Sequence, residues 1–186
     1  MTMSNKRKIV VVDYDPAWPL TFAALRAPIC EAVRGIASAV EHVGSTSIPG
    51  LAAKPIIDID VIIPSRAELP ATIEKLAALG YVHCGDLGIS DREAFYSPTH
   101  LPTHNLYVCI RGSVALANHL TIRDHLRGNP GAVAAYGNLK KQLAGQFPTD
   151  MDRYGAAKTA FLLEVLRKEG FSATDRGSIR DVNLKK

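Results

Sequence analysis

Residues 42–63, HVGSTSIPGLAAKPIIDIDVII, decide the fold of this chain because they set two unlike features close together. A glycine–serine turn at Gly44 and Ser45 comes first. Twelve residues later a strand of isoleucine and valine carries Asp58 and Asp60. The segment predicts a buried strand with a polar site at one face, and the rest of the chain is interpreted around it.

Alternation along this strand predicts where the two aspartates point. Side chains two residues apart share a face of a strand, so Asp58 and Asp60 lie on one face and the isoleucines at 57 and 59 lie on the other. Two like charges on so apolar a strand are costly unless they are compensated. A divalent cation would compensate them, and ligands that are all oxygen suit Mg²⁺ or Mn²⁺. The alternative is a pair at a strand end that faces water or an arginine.

The turn before the strand is suited to an anion. Gly44 permits close backbone approach, and Ser45 and Thr46 add hydroxyls beside exposed N–H groups. Lys54, just before the strand, is placed to reach a phosphate. The alternatives are an ordinary turn of small polar residues and an exposed loop lysine. Turn and aspartates together predict a phosphate site beside a metal pair.

Composition limits the class of protein. The 186 residues are 47% hydrophobic, enough for one folded domain. No apolar run approaches the roughly 20 residues needed to cross a membrane, and the start of the chain does not resemble a signal peptide. The net charge of +4 is concentrated at the two ends. We therefore expect a cytoplasmic protein with no membrane or nucleic-acid partner.

Periodicity predicts an α+β fold, a mixed sheet with flanking helices followed by C-terminal helices. Residues 1–170 are predicted to form one domain, with a sheet-containing part at 8–112 and a helical part at 113–170. Residues 171–186 are predicted to be a mobile tail. The predicted strands are 8–13, 38–43, 55–64, 81–84, 93–97 and 104–110, and the predicted helices are one from Asp15 with a kink or break at Pro28, then 66–80, 114–127, 131–146 and 151–169.

Several long motifs resemble one family. YDPAWPLTF, HVGSTSIPGLAAKPIIDIDV, PTHNLYVC, HLTIRDHLRGNPGAVAAYGNLKKQLA and DRYGAAKTAFLLEVL are similar, in this order, to the GrpB family. The spacing of GS and DID resembles the signature of the nucleotidyltransferase superfamily, which has the polymerase-β-like fold. The GrpB family also occurs fused to dephospho-CoA kinase.

The resemblance implies a role for each matching residue. Gly44 and Ser45 would hold the phosphates of a nucleotide, and Asp58 and Asp60 would be catalytic ligands of Mg²⁺ or Mn²⁺. A third acid is expected on the strand at 104–110, but HNLYVCI contains none. His104 is the candidate base in its place, with a structural histidine as the alternative.

Two further cations are candidates for phosphate binding. Lys158 lies within the apolar stripe of its helix, so it either reaches the rim by its long side chain or points into a cleft that holds an anion. Arg123 lies in one of the family-like motifs, and a local ion pair with Asp124 is the alternative.

These residues support two functions. One is an Mg²⁺-dependent nucleotidyltransferase that moves a nucleoside monophosphate from a nucleoside triphosphate to a hydroxyl acceptor. The other is a non-catalytic domain that binds a nucleotide or a CoA-related ligand at a degenerate site. Both predict a nucleotide or other phosphate-bearing small molecule as partner.

Overall fold

A computed structural model describes residues 8–184. Five strands form one sheet: β1 (Ala39–Val43), β2 (Ile57–Ile63), β3 (Val82–His83), β4 (Arg92–Tyr96) and β5 (His104–Ile110). Their order across the sheet is β1-β2-β5-β4-β3. The β2–β5 pair is parallel and the other pairs are antiparallel. The sheet is therefore mixed, as predicted.

Within residues 8–184, six α-helices accompany the sheet. They are α1 (Trp18–Ala32), α2 (Leu69–Ala78), α3 (Val114–Arg127), α4 (Pro130–Gln146), α5 (Met151–Lys168) and α6 (Ala173–Leu184). In the sequence α1 precedes β1, α2 lies between β2 and β3, and the last four helices follow the sheet. The predicted α+β class with C-terminal helices is confirmed.

One face of β2 forms the main core. Ile57, Ile59, Val61 and Ile63 are all at most 2% exposed. They pack with Trp18 and the apolar stripe of α1, and with Leu76 of α2. The alternation predicted for this strand is confirmed, and the opposite face is left for the two aspartates.

The opposite face of the sheet is covered by α3. Ile62, Cys109 and Leu116 form a small cluster there, with Tyr107 and Leu120 packed against it. The parallel register sets Asp58 beside Asn105 and Asp60 beside Tyr107. The polar residues of two central strands therefore meet under α3.

Buried side chains outside the main strands pack the sheet-containing part against the helical part. Ile48 and Leu51, between β1 and β2, are buried against Leu126 and Tyr136 of α3 and α4. Ile9, near the start of the described chain, packs with Leu143 and Tyr154.

Three predictions differ from the observed elements: the opening strand, a break at Pro28 and the mobile tail. The opening strand at 8–13 is reduced to a single bridge between Val12 and Ala53, because no other strand pairs with it among residues 8–184. Pro28 lies inside α1, which is one helix from Trp18 to Ala32, so the predicted break does not occur there, while the alternative of a kink stays a prediction. The first residues of the predicted 1–170 unit, 1–7, lie outside the described residues.

The third difference is the predicted tail. Residues 173–184 form α6, which packs on α5. Ser172 begins it, since its hydroxyl accepts the N–H of Asp175 at 3.0 Å. Ile179 and Val182 recur on its inner side at helical spacing. Residues 185–186 lie outside the described residues, and no helix among those described is both long and apolar enough to span a membrane.

Candidate functional site

A cavity of about 370 Å³ opens beside the aspartate face of the sheet. It is bounded by the turn after β1, by β2, and by α3 and α5. Its lining includes Gly44, Ser45, Asp58, His119 and Lys158. The turn and the aspartate strand, predicted to form one site, therefore share one cavity with two later helices.

Gly44 is in direct contact with Asp58. Its φ of 67° and ψ of −172° lie in a region that only glycine adopts readily. A methyl group added at Gly44 would lie 2.1 Å from Oδ2 of Asp58. The glycine therefore provides both the backbone turn and the space that the carboxylate occupies.

Asp58 lines the cavity, and its surroundings shift the pKa of its carboxyl in opposite directions. Asn105 donates from Nδ2 to its Oδ1 at 2.7 Å. Burial raises the pKa of Asp58, and this outweighs the lowering of that pKa by the Asn105 hydrogen bond, by His119 and by Lys158. A cation bound at the carboxylate would stabilise its ionised form.

Asp60 lies behind the cavity lining. It is fully buried, and its Oδ2 is 2.7 Å from Nδ1 of His119 on α3. Burial would lower the pKa of His119, but the charge and hydrogen bond of Asp60 raise it overall. The other oxygen, Oδ1, has no hydrogen-bond partner within residues 8–184. Asp60 thus contacts the imidazole of His119, and His119 in turn lines the cavity.

One lysine contacts the turn, and two others lie beside a tyrosine of the cavity lining. Lys140 of α4 is 2% exposed and donates to the Ser45 hydroxyl at 2.9 Å. Lys54 and Lys158 stand over the ring of Tyr154, at 5.8 and 5.2 Å from its centroid. Burial first, and then the charge of Lys158, lowers the pKa of Lys140 to about 7. An anion beside Ser45 would offset this concentration of positive charge.

The donor set at the cavity fits a divalent cation in part. The Asp58 carboxylate lines the cavity and is an oxygen donor of the kind that Mg²⁺ and Mn²⁺ bind. Asp60, the second ligand implied by the resemblance, does not line it, and one of its oxygens is engaged by His119. The residues present could therefore hold a cation through Asp58 with help from a neighbour.

The sequence matches the family model described as GrpB protein over residues 8–168. The chain belongs to the GrpB family. The UPF0157 protein YqkA of Bacillus subtilis is 34% identical over 84% of this chain and 46% of that protein. This chain thus spans about half the length of that curated relative.

A solved structure of the same family agrees in fold. The crystal structure of GrpB from Enterococcus faecalis matches with a TM-score of 0.77 and 33% identity, over 86% of this chain and 96% of that one. The Cid1 poly(U) polymerase is a distant neighbour, with a TM-score of 0.48 and 16% identity over 73% of this chain and 44% of the polymerase.

Four predicted site residues lie outside the cavity lining: Asp60, described above, Lys54, His104 and Thr46. His104 is on the core face of β5, 2.8 Å from the Tyr81 hydroxyl and 2.7 Å from the Pro102 carbonyl oxygen. Thr46 is buried and donates to the Ile56 carbonyl oxygen at 3.2 Å. The alternation of β5 turns His104 away from Asn105 and Tyr107, so no catalytic role is proposed for it.

Arg123 lines the cavity but is engaged elsewhere. Its guanidinium donates to Glu41 on β1 and to Asp124, each at 2.7 Å. It also donates to the His42 carbonyl oxygen at 3.2 Å. The local ion pair with Asp124, named as an alternative, is present, together with a second pair that joins α3 to β1.

Two residues of the site had no role assigned to them from the sequence, although Lys140 lies in the same family-like motif as Arg123. His119 begins the motif HLTIRDHLR, and its position four residues before Arg123 on one helix face was the available signal. Lys140 lies between Tyr136 and Leu143 at spacings of four and three, so it interrupts an apolar stripe as Lys158 does. The same pattern could have found it.

Proposed function

We propose that the cavity binds the phosphate groups of a nucleotide together with a divalent cation, and that the protein transfers a nucleoside monophosphate to a hydroxyl acceptor. The observation that carries this proposal is Lys140, a buried lysine that donates to the Ser45 hydroxyl, together with Lys158, which lines the same cavity as Gly44, Ser45 and Asp58. Lys54 and Lys158 lie over the ring of Tyr154, which is also part of the cavity lining.

Lys140 gives the strongest support for an anion. A buried lysine is costly unless its charge is compensated. No carboxylate among the described residues lies within ion-pair distance of Lys140, whose ammonium contacts the Ser45 hydroxyl and the Tyr136 ring at 4.5 Å. A phosphate next to Ser45 would supply the missing negative charge.

The transfer itself asks the protein mainly to position its substrates. The acceptor oxygen forms a bond to the α-phosphorus while the bond to the bridging oxygen of the β-phosphate breaks. Pyrophosphate leaves, and the hydroxyl proton passes to solvent. The lysines and the turn would hold the phosphates in line with the acceptor. A bound divalent cation would neutralise phosphate charge, and Asp58 would hold it there.

Calorimetric titration of each of the four nucleoside triphosphates, with and without Mg²⁺ or Mn²⁺, tests binding. Wild type should bind at least one of them, and Lys140→Met and Asp58→Asn should weaken that binding. Lys141→Met is the matched control, because Lys141 is the next residue on α4 but is 45% exposed and paired with Asp13. Equal affinities for Lys140→Met and Lys141→Met would contradict the proposal.

Transfer is tested with nucleotides labelled at the α-phosphate. Label should appear in an acceptor and pyrophosphate should be released, both depending on the metal. Full transfer activity in Asp58→Asn would exclude this mechanism, whatever the binding result.

A second candidate is a non-catalytic domain that binds a nucleotide or a CoA-related ligand. The observation that favours it is Asn105, which occupies the register position beside Asp58 on the strand where a third acid is expected. Tight binding of a nucleotide or CoA precursor, with no pyrophosphate released over long incubation, would support this candidate.

A further inference from the structure

The two aspartates of β2 have different surroundings. Asp58 lines the 370 Å³ cavity. Asp60 is 0% exposed and does not line it, and His119 fills the position between Asp60 and the open space. A cation in the cavity would therefore meet one carboxylate and one imidazole.

We propose that His119 and Asp58 are the protein ligands of the divalent cation, and that Asp60 holds the imidazole from behind. The site would then take a transition-metal dication such as Mn²⁺ in preference to Mg²⁺. This inference rests on the cation site of the proposed function and names its ligands and its metal class.

The hydrogen bond of Asp60 leaves one ring nitrogen of His119 available. Nδ1 is 2.7 Å from Oδ2 of Asp60, so an Nδ1–H donor leaves the lone pair on Nε2. Nε2 has no hydrogen-bond partner within the described part of the chain, 8–184. Histidines that bind metals commonly donate their other N–H to a carboxylate in this way.

Position also favours the imidazole. His119 borders the 370 Å³ cavity and a neighbouring one of about 280 Å³ that α6 covers. Its side chain is 22% exposed, whereas that of Asp60 is 0% exposed. Asp58 borders the same 370 Å³ cavity as His119. The two side chains therefore share one open space that can hold an ion.

A deeper site is the competing arrangement. Donor atoms of Asp60, Cys109 and His119 lie within 4.8 Å of one another, and Oδ1 of Asp60 has no partner among residues 8–184. Cys109 and Asp60 are both 0% exposed, and neither lines the cavity. His119 and Asp58 both line it, so an ion bound there has room for water or phosphate ligands beside it. The cavity-facing pair is therefore the better ligand set.

The donor chemistry sets the metal class. Mg²⁺ favours oxygen ligands and keeps much of its water. An imidazole beside a carboxylate suits first-row transition metals better. The remaining positions would be filled by water or by phosphate oxygens of the nucleotide.

Electron spin echo spectroscopy of the wild-type protein with Mn²⁺ alone tests the ligand directly. Nitrogen-14 modulation from a coordinated imidazole is expected, and titration should show Mn²⁺ binding more tightly than Mg²⁺. Absorption of the Co²⁺-loaded protein separates the two arrangements, because the deeper site would give a thiolate charge-transfer band. That band, bound Mn²⁺ without nitrogen modulation, or no Mn²⁺ binding would each overturn the proposal.

Variants separate the ligand from its support. His119→Asn keeps an N–H that can donate to Asp60 but has no counterpart of Nε2, so it should abolish the nitrogen modulation. Asp60→Asn should keep the modulation and weaken Mn²⁺ binding by about 10–100-fold, as expected when an outer partner of a ligand is changed. Unchanged Mn²⁺ affinity in His119→Asn would contradict the assignment.

His125→Asn is the matched control. His125 lies on the same helix with Nδ1 2.6 Å from a carboxylate oxygen of Glu169, but it does not line the cavity. Its replacement should leave the Mn²⁺ spectrum unchanged.

Failure of this inference differs from failure of the proposed function. Nucleotide binding with Mg²⁺ and no nitrogen modulation would remove His119 and leave the proposed function intact. Nitrogen modulation from Mn²⁺ in a protein that binds no nucleotide would support His119 as a metal ligand and contradict the proposed function.

Discussion

Gly44 shows how one residue joins the two halves of the site. Because Gly44 has no side chain, its backbone can adopt a positive φ, and the carboxylate of Asp58 can occupy the space where a side chain would lie. Asp58 was predicted from strand alternation and Gly44 from the turn. Their contact depends on the antiparallel register that sets Val43 opposite Asp58.

Gly44→Ala should destabilise the protein and weaken nucleotide binding. The backbone conformation alone should cost about 1–3 kcal/mol, and displacement of Asp58 adds to that cost. Denaturant unfolding measures the loss. Gly35→Ala is the control, since Gly35 also has a positive φ, 76°, but nothing lies within 4 Å of an added methyl group. Equal losses at both positions would contradict a role for the Asp58 contact.

Lys140 should make stability depend on pH. Because its folded-state pKa is lowered from 10.5 to about 7, the unfolded chain binds more protons between these values, and stability should rise with pH across that window. Lys140→Met should remove this dependence and be more stable than wild type at pH 7 and below, by a few kcal/mol at most.

Urea unfolding of wild type, Lys140→Met and Lys141→Met at several pH values between 6 and about 10 measures this effect. The gap between wild type and Lys140→Met should close as pH rises. A gap that stays constant with pH would show that Lys140 is not a desolvated cation.

At the scale of elements, α3 covers the face of the sheet that carries the two aspartates. Its bounds were predicted correctly as 114–127, since Ser113 caps one end and Gly128 follows the other. Which residues it turns toward β2 could not be predicted, because the rotation of a helix depends on what packs on its other side. His119 was missed for that reason.

Arg123→Gln should affect stability more than ligand binding. The guanidinium joins α3 to β1 through Glu41, and its side chain is only 11% exposed. Loss of charged hydrogen bonds at such a position costs about 1.5–3 kcal/mol. Thermal unfolding and nucleotide titration of one preparation compare the two effects. A large loss of affinity at unchanged melting temperature would instead assign Arg123 to phosphate binding, as first predicted.

The last helix is an element that the sequence analysis did not identify. Its residues are mostly polar, and none of them is buried. Only a few side chains, such as Ile179 and Val182, face the rest of the protein. Composition alone hardly distinguishes such a short apolar stripe from a solvated tail. The helix was recognised only from its packing on α5.

At the scale of the whole molecule, the sheet-containing and helical parts share their cores. Buried loop residues before β2 pack on α3 and α4, and Ile9 packs on α4 and α5. The proposed metal and phosphate ligands also come from both parts. One domain over residues 1–170 remains a prediction, and this mutual burial among the described residues supports it.

Differential scanning calorimetry should therefore show one unfolding transition. The calorimetric enthalpy should equal the van't Hoff enthalpy, because three buried apolar clusters contain residues of both parts and would be exposed if one part unfolded alone. Two resolved transitions, or an isolated fragment 8–112 that unfolds cooperatively, would contradict the single-domain prediction.

The sequence by itself determined the local features: the two faces of β2, the glycine turn, the bounds of α3 and the resemblance to the GrpB family. These follow from spacing between near neighbours, which the chain encodes directly. Tertiary structure decided which distant residues complete the site. His119 meets Asp60 across 59 residues, and Lys140 meets Ser45 across 95. Such contacts depend on strand register and on helix rotation against the sheet, and both are fixed by packing of the whole core.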